Sequence, residues 1–380
     1  LVLDIDKAGR EPSRQVLRYY HFDQPNQPSN PELFPFRTWA RLQKELLYSS
    51  PELLTHGDAQ GDLSLRQALA EYLEEYRGVR CGPHQLVVGA GLEYLLGLLA
   101  PLLPGPAAVE NPGYPRARQV LENNGISCCC LPVDEDGLSI RALSESGAAV
   151  CYVTPSHQFP TGATMPAGRR AELLHWAARR PGQRYIIEDD YDSEFRFSGR
   201  PIPALQSLDT GERVVYLNTF AKSLAPSLRI GYMVLPPHLA ERYRREFLLY
   251  SSTVPSFEQY TLARFLEGGH FERHIARMRV EYRDRKAALT ACVKELGFPA
   301  KLSGADAGLH MLLTLENGMG EGELVERAAA EGVAVYPLSA YWLTPPPEEL
   351  PPTLIMGYAR LEAEDIRQAF RRLKAAWGSR

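Results

Sequence analysis

The stretch Val214-Val215-Tyr216-Leu217-Asn218-Thr219-Phe220-Ala221-Lys222-Ser223 passes from a short apolar run into a polar loop that carries a lysine. The apolar run reads as a buried strand, and the residues after it as the loop beyond that strand's carboxyl end. Six similar runs surround it, at Gln85–Val88, Ala107–Glu110, Ser127–Leu131, Ala148–Val153, Tyr185–Glu188 and Ile230–Leu235. Helical patterns separate several of them. Leu65, Leu69, Tyr72, Leu73 and Tyr76 recur at helical spacing before Gly78, and Gly91–Leu103, Arg116–Asn124 and Ala167–Arg179 read likewise. This alternation predicts an α/β fold with a largely parallel, seven-stranded sheet covered by helices. Ligands of such sheets bind in the loops beyond the carboxyl ends of the strands, so the chemistry is expected there.

After about Pro255 the texture changes. An arginine-rich helical pattern runs from Phe271 to Leu296 and is ended by Gly297 and Pro299. Strand patterns at Leu309–Leu315, Val333–Tyr336 and Leu354–Tyr358 alternate with helical ones at Glu323–Glu331 and Glu362–Trp377. The expected organisation is an N-terminal arm (1–36) packing with the small domain, a large domain (37–255) and a smaller α+β C-terminal domain (256–380). The arm is assigned from five prolines and little periodicity in its first 35 residues.

Composition narrows the function classes. The 380 residues are 44% hydrophobic and 23% charged, with a net charge of −4. Such a balance offers no excess of positive charge for nucleic acid or an acidic membrane. No apolar run approaches the roughly 20 residues that span a bilayer, and none reads as a secretory signal; a cytoplasmic location is expected. Of six cysteines, Cys128, Cys129 and Cys130 are consecutive, so neighbours point to opposite faces and cannot wrap one ion. No metal site and no disulfide framework is expected, and the cysteines read as buried thiols.

Lys222 stands apart. Seven lysines occur among 42 basic residues, and Lys222 is the only one between Lys44 and Lys286. A lone lysine is ordinarily a solvated surface charge, but this one has suggestive neighbours. Thr219 precedes it by three residues and Arg229 follows it by seven, and a hydroxyl with a guanidinium suits a phosphate monoester. Gly89-Ala90-Gly91-Leu92-Glu93 lies between a strand and a helix, where backbone N–H groups approach an anion. Upstream, Ile186-Ile187-Glu188-Asp189-Asp190-Tyr191-Asp192 ends a strand in a burst of carboxylates. A carboxylate facing a pyridine nitrogen keeps that nitrogen protonated and makes the ring an electron sink; a tyrosine two residues on suits the ring's phenolate oxygen.

These segments, with Thr154-Pro155-Ser156-His157-Gln158-Phe159-Pro160-Thr161-Gly162 and Thr219–Tyr232, make the chain resemble the MocR/GabR group. Leu33-Phe34-Pro35 with Trp39, Gly57-Asp58-Ala59-Gln60-Gly61 and Glu110-Asn111-Pro112-Gly113-Tyr114 agree, so the resemblance spans nearly the whole chain. These are GntR-family transcription regulators that join a winged-helix DNA-binding head to a fold-type I aminotransferase-like domain. The resemblance implies pyridoxal 5'-phosphate (PLP) as cofactor, held as an aldimine on Lys222. Asp189 would face the pyridine nitrogen and Tyr191 the ring oxygen. Thr219, Arg229 and the backbone of Gly91, Leu92 and Glu93 would hold the phosphate, and Tyr114 would stack on the ring. Arg116 and Arg360 would clamp the carboxylate of an amino-compound ligand, Arg360 arriving from the small domain. A homodimer is implied, with His56 near the neighbouring cofactor. This portion would bind no nucleic acid and no membrane itself; DNA would be bound by a head preceding Leu1.

Two departures bear on activity. Aminotransferases of this fold carry Asn-Pro-Thr-Gly where this chain has Phe159-Pro160-Thr161-Gly162, which removes a side-chain amide, although Gln158 is adjacent. His56 stands where many relatives place a tyrosine. Three functions are therefore weighed. The first is an effector-sensing domain that forms aldimines with an amino compound; the second is a stand-alone aminotransferase passing an amino group between an amino acid and a 2-oxo acid. The third, a dinucleotide-binding oxidoreductase, would use Gly89-x-Gly91 and the acid Glu110. It lacks the third glycine, replaced by Tyr94, and leaves Lys222, Asp189 and Arg229 without roles.

Overall fold

A computed structural model describes residues 20–21, 31–55, 57–179, 184–197, 202–346 and 350–378. It opens on the two-residue strand β1 (Tyr20–His21). The predicted apolar runs become β2 (Leu86–Gly89), β3 (Ala107–Asn111), β4 (Cys128–Asp134), β6 (Val150–Val153), β7 (Tyr185–Asp189), β8 (Val214–Thr219) and β9 (Gly231–Val234). The sheet has eight strands rather than seven. The addition, β5 (Gly137–Leu138), is a two-residue return of β4 around the turn at Glu135 and Asp136, too short to leave a periodic signal.

Strand order is β2-β9-β8-β7-β6-β3-β4-β5. The pairs β4/β3, β3/β6, β6/β7 and β7/β8 are parallel. β9 runs antiparallel to both β8 and β2, which makes β2 parallel to β8. The consequence is geometric: β2, β3, β6, β7 and β8 all end on one edge, and β9 begins there, with Gly231 opposite both Thr219 and Gly89. The loops that carry Gly91, Tyr114, Tyr191, Lys222 and Arg229 open onto that edge.

Alternation along the strands builds the layers. In β8, Val215 and Leu217 pack into a core with Leu95, Leu121 and Tyr243, under α3 (Leu92–Leu99), α4 (Pro115–Asn123) and α7 (Pro237–Glu246). Val214 faces the opposite side, towards Leu173 and Trp176 of α6 (Ala167–Ala178). Tyr216 joins a third core that runs through α2 (Leu63–Arg77), α8 (Ser256–Glu267) and α9 (His270–Lys294) into the C-terminal part. As expected, α2 stops at Gly78, whose φ of 69° is a left-handed cap that a side chain would strain.

The C-terminal part carries an antiparallel sheet in the order β10 (Ala300–Ser303), β11 (His310–Leu315), β14 (Thr353–Gly357), β13 (Tyr336–Pro337). Helices α10 (Glu321–Ala330) and α11 (Ala363–Gly378) complete it. β1 pairs in parallel with β12 (Val333–Ala334), which sets Tyr20 and His21 against this C-terminal part; the rest of the predicted arm up to residue 30 lies outside the described residues. The cysteines depart from the buried reading in part: Cys151 and Cys292 are buried, whereas Cys81, Cys128, Cys129 and Cys130 are half-buried. No described helix is long and apolar enough to cross a membrane.

Candidate functional site

The carboxyl edge of the sheet opens into a cleft of about 870 Å³, solvent included. Ten residues chosen from sequence line it: Gly91, Leu92, Glu93, Tyr114, Arg116, Asp189, Tyr191, Thr219, Lys222 and Arg229. Arg360 is not among its lining residues; it stands exposed just beyond β14. His56 lies outside the described residues.

One end of the cleft is built for an anion. Gly91 has φ 89°, and a Cβ there would fall 2.6 Å from Arg229 Nη2, so only glycine lets the guanidinium lie against this turn. Arg229 itself has φ 52°, a left-handed conformation that costs a non-glycine residue about 1–2 kcal/mol. Its Nη2 donates to the Ala90 carbonyl at 2.9 Å and to Glu93 Oε2 at 3.1 Å, while Arg116 Nη1 donates to Glu93 Oε1 at 3.2 Å. Burial works to raise the Glu93 carboxyl, but its own backbone N–H and the two guanidiniums outweigh this and hold it below its ordinary range. Glu93 sits in the first turn of α3, where the helix dipole also favours negative charge.

The carboxylates of the sequence burst divide their work. Glu188 accepts from the backbone N–H groups of Leu205 and Gln206 at 2.6 and 2.8 Å. Asp190 takes a buried ion pair from Arg77 at 2.8 Å and hydrogen bonds from Tyr216 and Ser193. Asp192 meets His157. Asp189 alone of the four lines the cleft. Its Oδ2 accepts from the Tyr152 hydroxyl, and its buried Oδ1 has no hydrogen-bond partner among the described residues. Burial pushes this carboxyl up to about 7, against the pull of Tyr152 and with the repulsion of Asp190 and Asp192. An unsatisfied, buried carboxylate oxygen calls for a cationic N–H.

Lys222 sits in the turn after β8, half-buried. Ser223 beside it gives its carbonyl to the buried His274 of α9 at 2.9 Å, which fixes the turn from below. Thr219, at the end of β8, pairs with Gly231.

Several cleft residues escaped the sequence reading. Phe159 contributes an aromatic wall, edge-on to Tyr114 at 5.6 Å and to Tyr341 at 5.1 Å between ring centroids. Gln158 does not replace the missing amide. Its Nε2 donates to the Pro112 and Phe159 carbonyls and its Oε1 accepts from Thr161, so the side chain is spent on its own turn. Tyr152 was visible only as a strand residue. His157, Asp192 and His310 are buried with ligand-type atoms within 4.8 Å of one another. Hydrogen bonds account for much of this: His157 Nδ1 lies 2.9 Å from Asp192 and 3.0 Å from the Tyr191 hydroxyl, and His310 Nε2 meets the Pro160 carbonyl at 3.0 Å.

The oxidoreductase reading fails on Glu110. It is buried, bonded to Thr154 through both backbone and hydroxyl, and pushed up to about 7 by burial. A ribose-binding acid has to be charged and accessible.

Comparison with known proteins shows the family and the fold. The family model described as aminotransferase class I and II matches residues 25–373. The uncharacterized HTH-type transcriptional regulator YdeL of Bacillus subtilis is 43% identical over 348 residues, 90% of this chain and 74% of that protein. The probable rhizopine catabolism regulatory protein MocR of Rhizobium meliloti is 37% identical, over 92% of this chain and 71% of that protein. Among solved structures, Pyrococcus horikoshii kynurenine aminotransferase, in complex with PMP, superposes with a TM-score of 0.82 at 26% identity, covering 95% of this chain and 91% of that one.

Proposed function

The chain belongs to the class I and II aminotransferase family, and we propose that its cleft is the effector-sensing site of a MocR/GabR-type transcription regulator. Its cofactor is pyridoxal 5'-phosphate. The residues present fit that group, and the observation that carries the reading is Asp189: a buried carboxylate oxygen without a hydrogen-bond partner among the described residues, in the same cleft as a lysine and an arginine-lined anion turn. Bound there, the cofactor supplies a carbonyl carbon that takes up amino groups and a ring that draws electrons from that carbon.

The chain's own residues then have distinct tasks. Asp189 Oδ1 accepts the N–H of the ring, and its charge, costly alone, becomes compensated. Tyr191 would donate a hydrogen bond from its hydroxyl to the ring oxygen. Arg229, Thr219 and the N–H groups of Gly91, Leu92 and Glu93 bind the phosphate; Tyr114 and Phe159 keep water from the ring. Lys222 Nζ would be the covalent anchor for the cofactor and, as a free amine, would hold the proton given up by an incoming ligand's ammonium group. Arg116 is the near clamp for a ligand carboxylate. Arg360 reaches it only when the small domain moves in, a closure driven by ligand contacts available in the closed form.

Support for a regulator comes from YdeL and MocR, whose names state a regulatory role and of which this chain spans 74% and 71%. A working aminotransferase is the second reading, favoured by the solved aminotransferase it resembles and by the retained lysine. A homodimer is part of the proposal: Tyr48, Leu54 and Leu249 are 83%, 79% and 95% exposed, apolar surface that a second copy would cover. Sedimentation giving a stable monomer with PLP would remove that part.

Visible absorbance of the PLP-loaded protein, followed as amino compounds are added, tests the function. A band that shifts and persists is expected for a sensor. A band that bleaches and returns with a 2-oxo acid makes the protein an aminotransferase, and no band at all defeats both readings.

A further inference from the structure

Tyr191 is the cleft residue whose proton matters most and whose surroundings are least expected. Phe159 replaces the amide that would share its task, and Gln158 is turned away into its own loop. Behind the Tyr191 hydroxyl lies His157, only 1% exposed, with Nδ1 at 3.0 Å. The same Nδ1 lies 2.9 Å from Oδ2 of the buried Asp192. The other ring nitrogen, Nε2, is buried without a partner among the described residues.

One nitrogen between two oxygens has a single choice of proton. With the proton on Nδ1, His157 donates to a carboxylate, a charge-assisted bond. With the proton on Nε2, an N–H is buried without an acceptor, and the bare Nδ1 faces the lone pairs of Asp192. Asp192 therefore selects the Nδ1–H form. Nδ1 then has no lone pair for Tyr191, whose O–H is left to point into the cleft. Burial and the Asp192 and Asp189 carboxylates hold that phenol well above its ordinary value, so it keeps its proton.

The small domain closes over this pair. Gly308 lies so close that a Cβ would fall 2.0 Å from His157 Nδ1 and 2.5 Å from Asp192 Oδ2. The His310 ring stands 4.6 Å from that of His157, centroid to centroid. The charged and titratable groups around Tyr191 are thus His157 and Asp192 behind it, Asp189, Asp190 and Glu110 along the strand ends, and His310 with Lys222 beside His157.

We propose that the buried His157–Asp192 pair is a positioning device that fixes the proton of Tyr191 so that its hydroxyl donates into the cleft. The inference rests on the reading of the cleft as a PLP site, and its test separates the two. In the cofactor-free full chain, 15N-labelled histidine side chains report tautomers, and His157→Asn identifies the His157 signal. An Nδ1–H form that changes to Nε2–H in Asp192→Asn is expected; an Nε2–H form in the parent protein overturns the proposal whatever the cofactor does.

In the PLP-loaded protein, the readout is the pH midpoint of the visible band. Tyr191→Phe removes a donor to the ring oxygen and raises the midpoint. His157→Ala is expected to raise it by about half to one pH unit, the range of one neutral hydrogen bond. That shift is absent in the Tyr191→Phe background, and His157→Asn, whose amide N–H stands in for Nδ1–H, keeps the parent midpoint. An equal shift with and without the Tyr191 hydroxyl overturns the proposal. A parent protein with no visible band defeats the PLP reading instead, and the tautomer measurement alone then decides the pair's role.

Discussion

Replacing Asp189 by Asn exposes the opposing demands on this residue. The substitution keeps the shape and an oxygen for the Tyr152 hydroxyl while removing the charge. In the cofactor-free chain burial lifts the carboxyl from 3.8 to about 7. A rise of about three units corresponds to about 4 kcal/mol at 1.36 kcal/mol per unit. The sign follows from linkage: the folded-state value is raised, so the cost is absent below about pH 4, grows as pH rises, and is complete above about pH 7. Cofactor-free Asp189→Asn is therefore expected to be more stable than the parent at pH 8, by about 2–4 kcal/mol, and no more stable at pH 4. Retention of PLP moves the other way, weakened about tenfold or more through loss of a charged hydrogen bond. Urea unfolding across pH 4–8.5, paired with PLP titration by absorbance, measures both. Equal stability of the two proteins at pH 8, or unchanged PLP affinity in the variant, would refute the assignment of Asp189 to the ring nitrogen.

Lys222→Ala should abolish the visible band of the PLP-loaded protein while leaving the cofactor-free fold intact by circular dichroism. Arg229→Ala should weaken PLP binding by about ten- to a hundredfold, as expected for a lost charged hydrogen bond, with binding of the unphosphorylated aldehyde little changed in a fluorescence titration. Arg77→Ala leaves the buried Asp190 without its counter-charge, with only the hydrogen bonds of Tyr216 and Ser193 to oppose burial; a loss of about 3–5 kcal/mol in urea unfolding at pH 7 is expected. His274 is held down to about 4, by burial first, so its contribution is present above about pH 6.5 and lost as pH falls towards 4. His274→Asn should flatten that part of the stability profile relative to the parent.

Most of the residues that line the cleft are legible in the sequence because they sit in short segments next to strand ends. Thr219, Lys222 and Arg229 lie within one loop and the entry to β9, and Gly91 with Glu93 opens α3. Such segments keep their spacing whatever the rest of the chain does. Phe159 reads from the sequence as a missing amide; in the structure its ring lines the cleft beside Tyr114 and meets Tyr114 and Tyr341 edge-on. Gln158 stands where it could substitute, but its amide is taken up by the Pro112 and Phe159 carbonyls and by Thr161. Strand β5 carried too few residues to show a period.

The sequence by itself determined the order of most strands and helices, the fold class and the family with its cofactor, because these rest on local periodicity and on which residue types follow each strand. That Asp189, and not Glu188, Asp190 or Asp192, lines the cleft was decided only by the tertiary structure. Alternation along β7 places neighbours on opposite sides, but the meaning of each side depends on distant partners: Arg77 from α2, Tyr152 from β6, and the loop at Leu205. The antiparallel entry of β9 brings Arg229 back to the edge where β2 ends, and Gly91 leaves room for it. His157 reaches Tyr191 across 34 residues, and Gly308 closes over it from the other domain. Contacts of that range are set by packing, which no local pattern encodes.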